Sequence, residues 1–463
     1  MNFKPRSEFS KNVLTLMTGT SIAQAIPLAI SPILTRVYTP EDFGIFALYM
    51  SIVSMIAVVV TGRYEQAIVI PKNDRYAMHL VILSMIISFF ISVLCLVVIV
   101  CFKDGIVQLL NNQDISDWLY FIPLSVFLTG IYQSLNYWNN RKKNYKILAG
   151  NRVVQSSTTS AMNLLLGMTK VGSNGLVIGS ISGQIIATFV LLKMTLNEKF
   201  KNIEQVKLIA LGKKYIDFPR KSAIGAFFNT FSYQIEYILF TIFYTVGNVG
   251  MYYFINKIIS IPKLFLSNAI WQSFLSHTHE SKKYIFKSML AKQEALIKFS
   301  MLPVLSSIAI LPNIFVFVFG NNWMEVTAYI PPLIVAMHLN FIVASFSLFV
   351  VINRPDMEMK FNVFLALFKV VGISLSYLLF ENILISIYVL ACIQIIMFIW
   401  LGSWNYKQLG QRSLFFVSLY MKHFIYISVP LLLIFWVALN QIFLITLLSY
   451  FIVNISFFLW IKR

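Results

Sequence analysis

The stretch Ala77–Phe102, AMHLVILSMIISFFISVLCLVVIVCF, decides the class of this protein. It contains no Asp, Glu, Lys or Arg and is longer than the roughly 20 apolar residues a helix needs to cross a bilayer core. In lipid the backbone must satisfy its own N–H and C=O groups within the segment, so the stretch reads as a transmembrane helix. Working outward, hydropathy places two more spans ahead of it, at 12–35 and 43–62. Eleven follow, at 117–138, 147–169, 174–193, 219–243, 248–270, 293–319, 326–352, 360–380, 383–404, 423–440 and 441–461. Hydrophobic residues make up 58% of the 463, charged residues 12%, and the mean hydropathy is +0.76. That leaves too little polar surface for a soluble chain. The expectation is an all-α integral membrane protein with about 14 transmembrane helices. The first span is too long, and too interrupted by Pro27 and Pro32, for a cleavable signal segment.

Basic residues set the orientation. With the N-terminus inside, the cytoplasmic segments hold 29 of the 37 Lys and Arg, and the external loops hold only Arg36, Lys103 and Lys170. This positive-inside asymmetry predicts a multi-pass protein with both termini cytoplasmic. The net charge of +19 is then a topology signal, spread over many short segments; it suits anionic membrane lipids and speaks against nucleic acid. Cys95, Cys101 and Cys392 fall inside spans with no metal-like spacing and read as packing residues. No Gly-rich phosphate loop, nucleophile elbow or zinc pattern is present, and the external loops are short, so no catalytic residue, metal or cofactor is expected. Asp114 and Asp117 read as helix caps, His277 and His279 as solvated loop residues, and His338 as a hydrogen-bonded packing residue rather than a proton site.

The chain divides in two. Residues 1–194 form one group of six spans, 195–218 a basic cytoplasmic linker, 219–404 six more spans, and 405–463 a basic loop with two accessory spans. TPEDFGIFAL from Thr39 and TVGNVGMYYF from Thr245 share the pattern Thr, two residues, Asp or Asn, one residue, Gly, one residue, aromatic, which supports an internal duplication. Six spans per repeat places a site at midplane around a central cavity. Pro27, Pro32 and Pro262 are hinge candidates, with kinks re-satisfied by neighbouring helices as the alternative.

Ionisable groups in the hydrocarbon need a reason, because each costs about 3 kcal/mol on insertion scales. Arg152 and Lys298 lie about one turn inside the cytoplasmic ends of their spans, within snorkelling reach. Lys257 and Lys369 are near the middle of theirs, and Glu236 is the one acid well inside a span. Helix rise puts Glu236 and Lys257 at similar depths, about 10 and 13 Å from the outer ends. One reading is a buried ion pair that locks the hairpin; the other is a cavity in which Lys257 meets an anion while Glu236 titrates or pairs. The balance of charge favours a phosphate or pyrophosphate headgroup held by Lys257, Lys369 and Arg152. Gln24 and Gln234, with Asn163, Gln184 and Asn229, can hydrogen-bond a sugar or serve as interhelical glue.

Three segments carry a resemblance. NVLTLMTGTSIAQAIPLAISPILTRVYTPEDFGIFAL (12–48), KKYIDFPRKSAIGAFFNT (213–230) and VGMYYFINKIISIPKLFLSNAIWQSF (249–274) resemble the bacterial polysaccharide-biosynthesis flippases, of O-antigen type, in the multidrug/oligosaccharidyl-lipid/polysaccharide exporter superfamily. The resemblance implies two six-helix bundles in a V around a central cavity, with spans 13 and 14 outside the transport core. It implies a flippase of the bacterial inner membrane that moves an undecaprenyl-pyrophosphate-linked oligosaccharide by alternating access, with a glycan polymerase and chain-length regulator as partner proteins. Relatives often carry a basic residue where Lys257 stands. A cation-coupled multidrug exporter of the same fold, a membrane glycan polymerase and a scaffold remain as alternatives.

Overall fold

The computed structural model describes residues 8–169, 172–196, 204–263, 267, 282–346, 348–352, 354–439 and 443–462. Among them all regular structure is helical, so the chain is an all-α membrane protein. The chain separates into two compact units, Met1–Gly250 and Met251–Arg463. Among the described residues each of the fourteen expected spans overlaps a helix, though 43–62, 117–138, 248–270 and 326–352 also take in turns.

The first unit begins with α1 (Glu8–Val37), α2 (Pro40–Ala57), α3 (Asp74–Leu109) and the short α4 (Ser116–Leu119). It continues with α5 (Ile122–Arg141), α6 (Tyr145–Met168), α7 (Ser173–Leu196), α8 (Gln205–Lys214), α9 (Ala223–Phe243) and the start of α10 (Val246–Ile259). α1 and α7 both pack on α6, α3 packs on α5, and α2 contacts α5, α7 and α9. Because α9 packs on α2, the compact unit ends after the second copy of the Thr/Gly motif rather than in the linker. Helix α3 runs beyond the expected end of its span, through non-helical backbone at Phe102 (φ −123°, ψ 18°). No side chain caps α4, neither Asp114 nor Asp117; in the turn ahead of it Asn112 Oδ1 accepts from the Ile115 N–H at 3.1 Å.

The repeated motif is a helix start. Thr39 and Asp42 form a reciprocal capping box on α2, with Pro40 in the first turn, where its missing N–H is harmless. Thr245 repeats the forward half of this arrangement on α10, its Oγ1 accepting from Asn248 N–H at 3.4 Å. The two motif glycines then meet. A Cβ on Gly44 would lie 2.0 Å from the Val246 carbonyl oxygen, and one on Gly250 would lie 1.8 Å from the Pro40 carbonyl oxygen. Each glycine abuts the first helical residue of the other motif, the reciprocal contact that a local two-fold axis produces. Only hydrogen fits there.

The linker folds back onto this unit. Leu211 of α8 joins a core with Tyr64, Ala67, Ile68, Ala77 and Leu80, and the Tyr64 hydroxyl donates to the Gly212 carbonyl at 2.9 Å. Glu204 pairs with Arg75 at 2.5 Å and with Lys207 at 2.7 Å, while its N–H donates to His79 Nε2 at 3.1 Å. Lys207, then Arg75, hold the exposed Glu204 carboxyl below the usual carboxylate range. The 3-10 turn Tyr64–Val69 that receives α8 follows two left-handed residues, Gly62 (φ 58°) and Arg63 (φ 60°), and buries Glu65 beside Thr61 and Arg63. Burial pushes the Glu65 carboxyl up, against the opposing pull of those two partners.

The second unit holds the rest of α10, then α11 (Lys282–Phe319), α12 (Ile330–Ala344), α13 (Leu348–Val351), α14 (Pro355–Phe380), α15 (Ile383–Gln408), α16 (Phe415–Leu439) and α17 (Phe443–Lys462). α15 packs on α12 and α14, while α11 packs on α12, α16 and α17. His338 is sealed between α11 and α16: Ser300 Oγ lies 3.0 Å from its Nε2 and the Tyr420 hydroxyl 2.9 Å from its Nδ1. It is a hydrogen-bonded packing residue. His277 and His279 lie outside the described residues.

Candidate functional site

Ten described helical stretches are long and apolar enough to cross a membrane; α6, α9 and α10 are not among them. α6 carries Arg152, Gln155 and a Ser/Thr run, α9 carries Asn229, Gln234 and Glu236, and α10 stops at Ile259. A membrane protein tolerates such helices where their polar groups meet other protein or water. They also carry most of the site residues expected from the sequence.

In the first unit, prolines and small residues let α1, α6 and α7 share polar groups at close range. Pro27 frees the Ala23 carbonyl one turn back, and Ser156 Oγ of α6 donates to it. Pro32 frees the Leu28 carbonyl, which accepts from Ser31 Oγ at 2.6 Å. α1 therefore stays continuous through both prolines. Arg152 donates from Nη1 to Thr20 Oγ1 on α1. The guanidinium is half-buried and turned toward the helix that bears Gln24, one turn beyond Thr20 on the same face. Gln155 Nε2 donates to Gln184 Oε1 at 2.6 Å, so Gln184 is interhelical glue. Gly19 stands against Ala149 and Gly183 against Thr159, where a Cβ would come within 2.4 and 2.0 Å. On α9, Glu236 is buried at 3% exposure and Gln234 is half-buried.

In the second unit, Lys369 on α14 is fully buried. It lies close enough to Lys263 for the two charges to repel, and Lys263 Nζ donates to Asn340 Oδ1 of α12 at 3.0 Å. Lys257 is on a different surface. Tyr253, Asn256, Lys257 and Ser260 recur at helical spacing as a partly exposed polar stripe down α10, with Lys257 Nζ 5.9 Å from the Tyr253 ring centroid. Glu236 belongs to the first unit and Lys257 to the second. Pro262 is exposed and follows the turn at Ser260, in a helical restart that includes Lys263. Lys263 falls inside the expected span 248–270 and the sequence reading gave it no role; the adjacent Pro262, just past the end of α10, was the available sign that its side chain could turn inward.

With this geometry in view, likeness to known proteins is informative. A sequence model of the family described as "Polysaccharide biosynthesis protein" matches residues 33–328. The chain belongs to the polysaccharide biosynthesis protein family. No curated protein matches it. Among solved structures, the lipid II flippase MurJ in an inward closed conformation superposes with a TM-score of 0.71 at 12% identity, covering 97% of both chains. An inward-facing multidrug resistance MATE transporter of the MOP superfamily gives 0.63 at 10% identity, over 86% of this chain and 94% of that one. A MOP-superfamily transporter from Pyrococcus furiosus gives 0.57 at 10% identity, over 86% and 96%. At such low identity these matches establish the fold: this member of the polysaccharide biosynthesis family is a multi-pass membrane protein with the MurJ/MATE architecture.

Proposed function

We propose that this protein is a flippase of the bacterial inner membrane. It moves an undecaprenyl-pyrophosphate-linked oligosaccharide from the inner to the outer leaflet for surface polysaccharide assembly. The carrying observation is the buried Lys369 with Lys263 in its electrostatic range, two lysines in one unit of a membrane-embedded polysaccharide-biosynthesis protein. Holding like charges within reach of each other in low dielectric is costly, and a pyrophosphate that binds both relieves the repulsion. Lys257, on the separate α10 stripe of the same unit, is a further basic group for the headgroup, and within the first unit Arg152, Gln24 and Gln234 offer donors to phosphate or sugar. Glu236 is the carboxylate available for coupling to a cation. The chain works as a transporter without a chemical step, by alternating access of two six-helix repeats (1–194 and 219–404), with spans 13 and 14 accessory and both termini cytoplasmic. Pro27, Pro32 and Pro262 are its hinge candidates. MATE transporters of this fold have been solved inward-facing and outward-facing, which supports that cycle.

The test replaces Lys263, Lys369 and Lys257 with Gln, singly and together, with Lys369→Arg as the charge-retaining control. Membrane insertion, surface glycan and accumulated lipid-linked intermediate are measured. The triple variant is expected to insert, lose surface glycan and accumulate intermediate, while Lys369→Arg retains display. Normal display by the triple variant refutes the reading. A multidrug exporter is the second reading, favoured by the MATE likeness and by the buried Glu236. It predicts drug hypersensitivity of a deletion strain with unchanged glycan.

A further inference from the structure

Helices α11, α16 and α17 enclose a cavity of about 370 Å³ that none of the transport residues lines. Its polar lining is Lys298, Lys422 and His423; Ile297, Tyr426, Ile427 and Phe457 supply the apolar walls. Glu294 is the acid in contact with this group, 3.4 Å from Lys298 Nζ and 3.3 Å from His423 Nε2. Two ammonium groups against one carboxylate leave the cleft positive even with a neutral imidazole. The buried His423 and the pairing with Glu294 hold Lys298 at the cleft wall, while Lys422 is exposed at its mouth.

Depth and surroundings point to the occupant. Lys298 is about one turn inside the apolar part of α11, and Lys422 immediately precedes the apolar run of α16, so both charges sit at one interfacial level. From that level the outward face of α16 continues through Tyr426, Val429, Leu433 and Trp436, all more than half exposed. An apolar face of this kind in a membrane helix meets acyl chains. Farther along, α11 and α17 are joined, the Tyr450 hydroxyl donating to the Pro303 carbonyl at 3.3 Å and Asn454 Nδ2 to Ser306 Oγ at 3.4 Å, while beside the cavity the Phe299 and Phe458 rings are 5.3 Å apart. The gap is therefore confined to the charged end.

We propose that this cleft binds an anionic phospholipid whose phosphate is held by Lys298 and Lys422 and whose acyl chain lies along α16. A basic pocket between membrane helices at an interface is suited to such a headgroup. The lipid fills the space between the accessory helices and α11 and fastens them together. This site is separate from the proposed transport path and stands whether or not that reading holds.

The test uses the full chain purified in detergent and in nanodiscs. Native mass spectrometry and thermal unfolding are compared for added phosphatidylglycerol, phosphatidylethanolamine, a polyprenyl pyrophosphate and inorganic phosphate. Wild type is expected to retain one phosphatidylglycerol preferentially and to melt higher with it. Lys422→Gln, at an exposed position where folding is not at stake, is expected to weaken retention about fivefold, and Lys298→Gln with Lys422→Gln about 25-fold. Lys287→Gln with Lys407→Gln removes equal charge elsewhere and is expected to retain the lipid as wild type does. Equal retention of phosphatidylethanolamine, unchanged retention by Lys422→Gln, or full stabilisation by inorganic phosphate alone overturns the proposal. Preferential retention of the polyprenyl pyrophosphate over phosphatidylglycerol also overturns it, since the cleft would then be a carrier-lipid site.

Discussion

The sharpest structural prediction concerns Gly250→Ala. The added methyl carbon would lie 1.8 Å from the Pro40 carbonyl oxygen and 2.7 Å from the Gly44 backbone N. Ordinary carbon–oxygen contact begins near 3.4 Å, so α10 must withdraw from α2 by roughly 1.5 Å at its first turns. The obstacles are backbone atoms of a helix start fixed by the Thr39–Asp42 box, so no side-chain rotation relieves them. Overpacking of this kind costs about 1–3 kcal/mol, with about 1 kcal/mol more if the Thr245 cap is lost in the shift. Gly44→Ala meets the Val246 carbonyl at 2.0 Å and should cost a similar amount. Once the helices have separated for one methyl the second finds room, so the double variant should cost clearly less than the sum. Gly150 and Gly225 have nothing within 4 Å of a Cβ, and alanine at either should be neutral or stabilising by about 0.5–1 kcal/mol. Thermal unfolding of the purified full chain, followed by tryptophan fluorescence, reads wild type and all five variants. A Gly250→Ala protein that melts with wild type, or strictly additive single and double variants, would falsify the close reciprocal crossing.

Glu204→Gln should loosen α8, raising amide exchange across Gln205–Lys214 several-fold while α6 is unchanged. Because Lys207 and Arg75 lower the folded-state value of Glu204, their stabilisation is present at neutral pH. It should fade in wild type as pH falls toward roughly 4, the variant showing no such dependence. Glu65 has the opposite sign: burial raises its folded value, so the native state binds a proton more tightly than the unfolded chain and stability is lost as pH rises. Glu65→Gln should gain on wild type in thermal unfolding at about pH 8 and lose that advantage near pH 5; a constant difference at both would contradict the assignment. Thr20→Val keeps shape but deprives Arg152 of its acceptor, and should destabilise by about 1 kcal/mol, whereas Thr20→Ser should not. Equal melting of the Val and Ser variants would remove that bond from the packing of α1 on α6.

Class and span order were legible in the residues because a bilayer imposes a one-dimensional rule: an apolar run of sufficient length becomes a helix whatever surrounds it. The Thr–Asp and Thr–Asn starts of the two motifs were equally local, since a cap is made within four residues. Depth along a span follows from helix rise, which is why Lys369 and Glu236 were singled out before any packing was known. Azimuth does not follow from sequence. Which way a side chain turns depends on how neighbouring helices rotate and on where one of them breaks. Only the tertiary structure brought Lys263, beyond the break at Ser260, within electrostatic range of Lys369. The same is true of the reciprocal seat of Gly44 and Gly250 and of the Glu204–His79–Arg75 contacts that tie the linker to α3. These are meetings between residues more than a hundred positions apart, made by close packing that periodicity and composition do not encode.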